Sequence, residues 1–203
     1  MAAELQHLIT EARAICPDLR AECHPEWGAS QPGYREQIRD SLARSLPALG
    51  REERHSLANL SAPPRVSNWS ISISHCQSHG AWVAVPRPWK IGFDLEQTKR
   101  LRRPLIERIS TAEERQSAGR AEWLWVAKEA YFKALENEQP LTFAQLRIGD
   151  WSRAQGVFRC QGLSASGSSV GLGFVLDGAE VTCCLFLIHG LDGPSGVSRY
   201  VSV

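Results

Sequence analysis

Apolar positions along this chain of 203 residues change period several times, and each change marks an element. Residues 4–15 carry apolar side chains at helical spacing, whereas Pro25, Gly28, Pro32 and Gly33 break any regular element over 22–33 and predict a loop there. Ile38, Leu42, Leu46 and Leu49 fall on one face of an amphipathic helix over 34–49, which Gly50 ends. Residues 61–64 read as a turn. Alternating or continuous apolar positions over 69–75 and 81–85 predict two strands joined around Gly80, and Pro86 and Pro88 mark a hinge before a strand at 90–95. A helix at 104–109 follows, and then Thr111 as a helix cap, with Glu114 completing a capping box. A long helix over 121–136 is apolar around much of its circumference. Strands at 143–148, 157–160, 170–176 and 180–188 come next, and 193–203 reads as a loosely ordered tail.

Helix, strands, second helix and more strands predict an α+β chain of two similar lobes, 1–88 and 89–203, each a small, mainly antiparallel sheet packed on a long helix. No internal sequence repeat is visible. A hydrophobic content of 43% suffices for a sizeable core, and no run reaches the roughly 18 apolar residues of a membrane span. The N-terminal segment lacks a basic start followed by an apolar core, so the expected location is the cytoplasm. Six cysteines without a Cys-x-x-Cys spacing are then expected as free thiols, and Cys183 and Cys184, adjacent on a strand, point to opposite faces. A net charge of +1 argues against general nucleic-acid binding.

Two short acidic motifs carry the candidate chemistry. In Gly92-Phe93-Asp94-Leu95-Glu96 the carboxylates of Asp94 and Glu96 share one face of a strand. In Trp125-Val126-Ala127-Lys128-Glu129-Ala130-Tyr131-Phe132-Lys133 the four-residue step sets Glu129 beside Lys133 on a helix. Each alone also fits an ordinary surface, where a Glu-to-Lys pair contributes roughly 0.3–0.5 kcal/mol. The apolar neighbours of Glu129 and Lys133 argue for burial, and buried charges must be paired or bound. Packed together, three acids and a lysine suit Mg²⁺ carrying a phosphate ester.

These two motifs, with Asn68-Trp69-Ser70-Ile71-Ser72-Ile73-Ser74-His75 before them, resemble in order and content the signatures of the 4'-phosphopantetheinyl transferases, in particular their larger, two-lobed type. The resemblance covers about residues 65–135. It implies two related lobes in a pseudo-two-fold arrangement, a coenzyme A site in the cleft between them, and a monomer. It further implies Mg²⁺, or Mn²⁺, on Asp94, Glu96 and Glu129, phosphate contacts from Ser74, His75, Lys128 and Lys133, and a carrier-protein serine as acceptor. The general base is Glu129 or Glu113, the latter in Ser110-Thr111-Ala112-Glu113, and Lys133 meets the leaving adenosine 3',5'-bisphosphate. Where relatives carry a Gly-Lys-Pro segment this chain has Ala62-Pro63-Pro64-Arg65, so Arg65, Arg35 and Arg39 become candidates for the 3'-phosphate.

Other readings were open at the level of sequence. His75, Cys76 and His79 hint at zinc but lack a second ligand cluster. His75 and Cys76 are neighbours on a strand and cannot form a thiol–imidazole pair. Lys99-Arg100-Leu101-Arg102-Arg103 fits either a solvated basic loop or a patch that steers an acidic carrier protein. A silent coenzyme A or carrier-binding module and a metal-dependent phosphate-ester hydrolase are the rival functions.

Overall fold

The computed structural model describes residues 2–136, 142–154, 157–163 and 169–190. Its elements, in order, are α1 (Ala2–Arg13), β1 (Arg20–His24), α2 (Tyr34–Ser45), α3 (Arg51–Ala58), β2 (Trp69–His75), β3 (Gly80–Pro86), β4 (Trp89–Gln97), α4 (Arg103–Ile109), α5 (Ala112–Ser117), α6 (Glu122–Ala134), β5 (Arg147–Ala154), β6 (Val157–Leu163), β7 (Ser169–Asp177) and β8 (Val181–His189). The fold is α+β. One antiparallel sheet has the order β1-β3-β2 and the other β4-β8-β7-β6-β5.

Side-chain alternation explains the layering. In β2, Trp69, Ile71 and Ile73 pack with β3's Trp82 and Ala84 against α2 and α3 through Ile38, Leu42, Leu46 and Leu57. From the opposite face of β3, Ala81, Val83 and Val85 join Ile91, Phe93 and Leu95 of β4 and the apolar stripe of α1 in a central core. The far side of the five-stranded sheet is covered by α6. Cys183 lies in the central core and Cys184 in the α6 core, as strand geometry requires, and none of the six cysteines forms a disulfide. α1 comes early in the chain yet packs on the second sheet, where Glu11 bonds Arg159 of β6 at 2.6 Å.

The two sheets meet along β2 and β4 without a backbone ladder. The hydroxyls of Ser70, Ser72 and Ser74 accept from the backbone N–H groups of Ile91, Phe93 and Leu95 at 3.1, 2.9 and 3.3 Å. Three alternate serines thus satisfy a strand edge that would otherwise be buried with unmade bonds.

Several expectations shift. Residues 20–24, partly inside the expected loop, form β1, an edge strand specified by its partner β3. The helix expected over 34–49 ends at Ser45: Leu46 precedes Pro47 and is extended (φ −91°, ψ 129°). α3 is an additional helix, opened by Glu53, whose carboxylate accepts from Gly50 N–H at 2.9 Å. The strand expected at 143–148 starts only at Arg147 and runs to Ala154. The sheets differ in size, three strands against five. The expected tail at 193–203 lies outside the described residues.

Candidate active site

The site begins where α6 crosses β4. A Cβ on Gly92 would lie 1.8 Å from the carbonyl oxygen of Ala130, so only glycine allows this approach. The crossing puts Asp94 and Lys133 in contact: Lys133 Nζ donates to Asp94 Oδ1 at 2.7 Å, to Phe93 O at 3.1 Å and to Ser74 Oγ at 3.3 Å. Ser74 Oγ also donates to Asp94 Oδ1 at 2.9 Å. Glu96 and Glu129 face the same cavity, of about 250 Å³. Burial pushes the Glu129 carboxyl up, Asp94 and Glu96 add to the rise, and Lys133 opposes it. Glu129 is thus a half-buried acid beside two more acids.

His75 lines the cavity from the first sheet. Its Nε2 lies 3.2 Å from the hydroxyl of Tyr34, and Arg35 Nε donates to that hydroxyl at 3.0 Å. The phenolic oxygen accepts from arginine, and its own hydrogen can go to Nε2 of a neutral imidazole. Burial, reinforced by the charge of Arg35, lowers the His75 pKa in the same sense. Gly33, at φ 68°, turns the chain into α2 and sets Tyr34 at its first position.

A second cavity of about 1,070 Å³ adjoins the first, with His75, Lys133 and Ile73 lining both. Arg35, Arg39 and Arg65 line it together with Glu52 and Glu53, and Phe132 and Ile71 supply apolar wall. Arg39 Nη2 donates to Ala62 O at 2.7 Å, but its Nη1 is buried without a partner. Burial, and then Arg35, lower the Arg39 pKa. A half-buried cation with one unpartnered N–H group, next to a second cation, suits an anion. Arg87 on the same wall is engaged with Glu136 at 3.1 Å.

Two expected site residues lie elsewhere. Lys128 lines neither cavity: it is fully buried and donates to Ile109 O at 2.6 Å, Glu114 Oε2 at 3.0 Å and Phe143 O at 3.3 Å. Glu113 lines neither cavity; its carboxylate is 86% exposed and lies 3.5 Å from Arg147. The acid of that segment that reaches α6 is Glu114, which also accepts from Ile148 N–H at 3.0 Å and caps Thr111 N–H at 2.9 Å. Ser74 spends its hydroxyl on Asp94 and Leu95 and so positions Asp94. Sequence reading overlooked Tyr34, whose partner is 41 residues away, and passed over Glu114 for its neighbour although the capping box already marked it.

The donor chemistry of Asp94, Glu96 and Glu129 fits a hard divalent cation, and such an ion would relieve the repulsion felt by Glu129. With Lys133 on Asp94, no three His, Cys, Asp or Glu side chains among the described residues close on a common point as a chelate. That holds for His75, Cys76 and His79 too; His79 Nδ1 instead meets Ser78 Oγ at 2.9 Å.

Residues 90–184 match the model of the 4'-phosphopantetheinyl transferase superfamily. The chain carries a domain of that superfamily. No curated protein matches the chain. The phosphopantetheinyl transferase domain runs from β4 to β8 and takes in Asp94, Glu96, Glu129 and Lys133, while Ser74, His75 and the arginines of the larger cavity precede it. Phosphopantetheine transfer is the superfamily's chemistry. No helix among the described residues is long and apolar enough to cross a membrane.

Proposed function

We propose that this protein moves the 4'-phosphopantetheine group of coenzyme A onto a serine of an acyl or peptidyl carrier protein. The observation that carries this reading is the joining of an acidic cavity to a larger basic one through Lys133 and His75. The adenosine end of coenzyme A occupies the basic cavity, with its 3'-phosphate on Arg39 and Arg35 and with Arg65 nearby. Its pyrophosphate reaches His75 and Lys133. Asp94, Glu96 and Glu129 would hold Mg²⁺ or Mn²⁺, which supplies Lewis-acid stabilisation of the pyrophosphate charge.

Glu129, as carboxylate, takes the proton of the attacking serine hydroxyl. A new bond forms from the serine oxygen to the β-phosphorus, the phosphoanhydride bond breaks, and adenosine 3',5'-bisphosphate leaves with Lys133 neutralising its new charge. Exposed Lys99 and Arg102 flank Arg100, which lies 3.5 Å from Glu96 of the acidic cavity, and this basic segment steers an acidic carrier toward it.

Mass spectrometry of a panel of apo-carriers incubated with the protein, coenzyme A and Mg²⁺ tests the reading. One added phosphopantetheine group on a carrier is expected. No gain on any carrier, or cleavage of coenzyme A when carrier is omitted, would turn the assignment to a silent binding module or a hydrolase.

A further inference from the structure

Lys133 stands in a position that bears on how the site is loaded. Its ammonium has three protons, and three oxygens surround it: Asp94 Oδ1, Phe93 O and Ser74 Oγ, at 2.7, 3.1 and 3.3 Å. That is the environment a hard cation would seek, provided in part by the carboxylate expected to bind one. Ser74 reinforces the arrangement by donating to the same Asp94 oxygen. Lys133 also lines the larger, arginine-rich cavity.

We infer that Lys133 competes with the divalent cation for Asp94, so that the cation and the diphosphate of the nucleotide bind as a coupled pair. This rests on the transferase reading of the site and adds an order to it. A dication entering alone meets an ammonium on one of its ligands, and displacing that ammonium moves it into a cavity lined by Arg35, Arg39 and Arg65, in which Glu136 is already paired with Arg87 and Glu53 with backbone N–H groups. A diphosphate in the larger cavity gives the ammonium a new partner and frees Asp94. By linkage the cation tightens diphosphate binding by the same factor.

The sign of one substitution separates this coupling from ordinary metal–phosphate contact. Mn²⁺ binding is followed by the electron paramagnetic resonance signal of the free ion, with wild type and Lys133→Met, each with and without ADP and corrected for Mn²⁺ bound to ADP in solution. Lys133→Met should bind Mn²⁺ alone about tenfold more tightly than wild type, and the enhancement by ADP should shrink several-fold. Equal or weaker Mn²⁺ binding by the variant, while wild type binds Mn²⁺ with ADP, overturns the competition and leaves the transferase site standing. If wild type binds no Mn²⁺ even with ADP, the site reading and this inference fall together. Lys133→Gln, checked by circular dichroism, gives the same comparison should the methionine variant not fold.

Discussion

The hydroxyl of Tyr34 lies 3.2 Å from Nε2 of His75, and the two rings meet edge to face at 4.7 Å. A phenol that donates to Nε2 stabilises the neutral imidazole, and protonating Nε2 forces that hydroxyl, which already accepts from Arg35, to turn from donor to acceptor. Burial and Arg35 act in the same direction, while Asp94 opposes them.

Tyr34→Phe should therefore raise the His75 titration midpoint by about 0.5–1 pH unit, the worth of one hydrogen bond. Histidine NMR as a function of pH reads this directly; an unchanged midpoint would contradict the donor role of the Tyr34 hydroxyl. The lowered pKa also has a stability consequence. Above about pH 6.5 both folded and unfolded states hold His75 neutral. As pH falls through 6.5 toward the folded-state value the unfolded chain takes up the proton first, so stability drops across that window. His75→Gln should flatten the decline in melting temperature there.

Glu129 carries the opposite sign. Its carboxyl is pushed up in the folded state, so folding confines a charge at neutral pH that the unfolded chain holds freely. Stability attributable to this group is lowest above the folded-state pKa and recovers as pH falls through it toward the ordinary carboxylate value. Glu129→Gln should raise the melting temperature at pH 7.5 and abolish transfer. A lower melting temperature would show that the carboxylate is held by interactions stronger than the repulsion from Asp94 and Glu96.

The buried pair of Lys128 and Glu114 is structural. It ties the end of α4, the start of α5, the turn at Phe143 and the start of β5 to α6, one residue before Glu129. Lys128→Met or Glu114→Gln leaves a buried polar partner unpaired and should each cost about 3–5 kcal/mol. Lys128→Met with Glu114→Leu should cost clearly less than the sum. Urea unfolding of the four proteins provides the cycle, and a near-zero cost for either single change would argue that Lys128 is free for another role.

Reversing Arg102 and Arg103 to Glu tests the basic edge. Arg103 already pairs with Glu107 at 2.8 Å, so Arg102 should carry more of the effect. At low salt the KM for an acidic carrier should rise several-fold with coenzyme A binding unchanged. Unchanged kinetics would reduce the segment to a solvated loop.

How much of this was legible beforehand depended on the range of the interaction. The Ser-Ile alternation of β2 and the apolar helix α6 declared themselves because their period is written into consecutive residues. β1 was missed because an edge strand of five residues is specified by β3, some sixty positions later. The serine seam between the sheets was invisible for a related reason: the alternation showed that Ser70, Ser72 and Ser74 share a face, but not that β4 lay against it. Lys128 looked like a phosphate ligand because its place in the motif says nothing about which way α6 is rolled on the sheet. Three carbonyl and carboxylate partners, gathered from 14 to 19 residues away, fix that roll.

The central claim is that Asp94 of β4 and Glu129 of α6 serve one reaction centre, and single-turnover transfer to an apo-carrier by Asp94→Ala and Glu129→Ala tests it most directly. With circular dichroism confirming the fold, both variants should fall at least about a thousandfold below wild type, the scale expected when a charge-stabilising group or base is removed. Transfer within a few-fold of wild type by either variant would contradict the account.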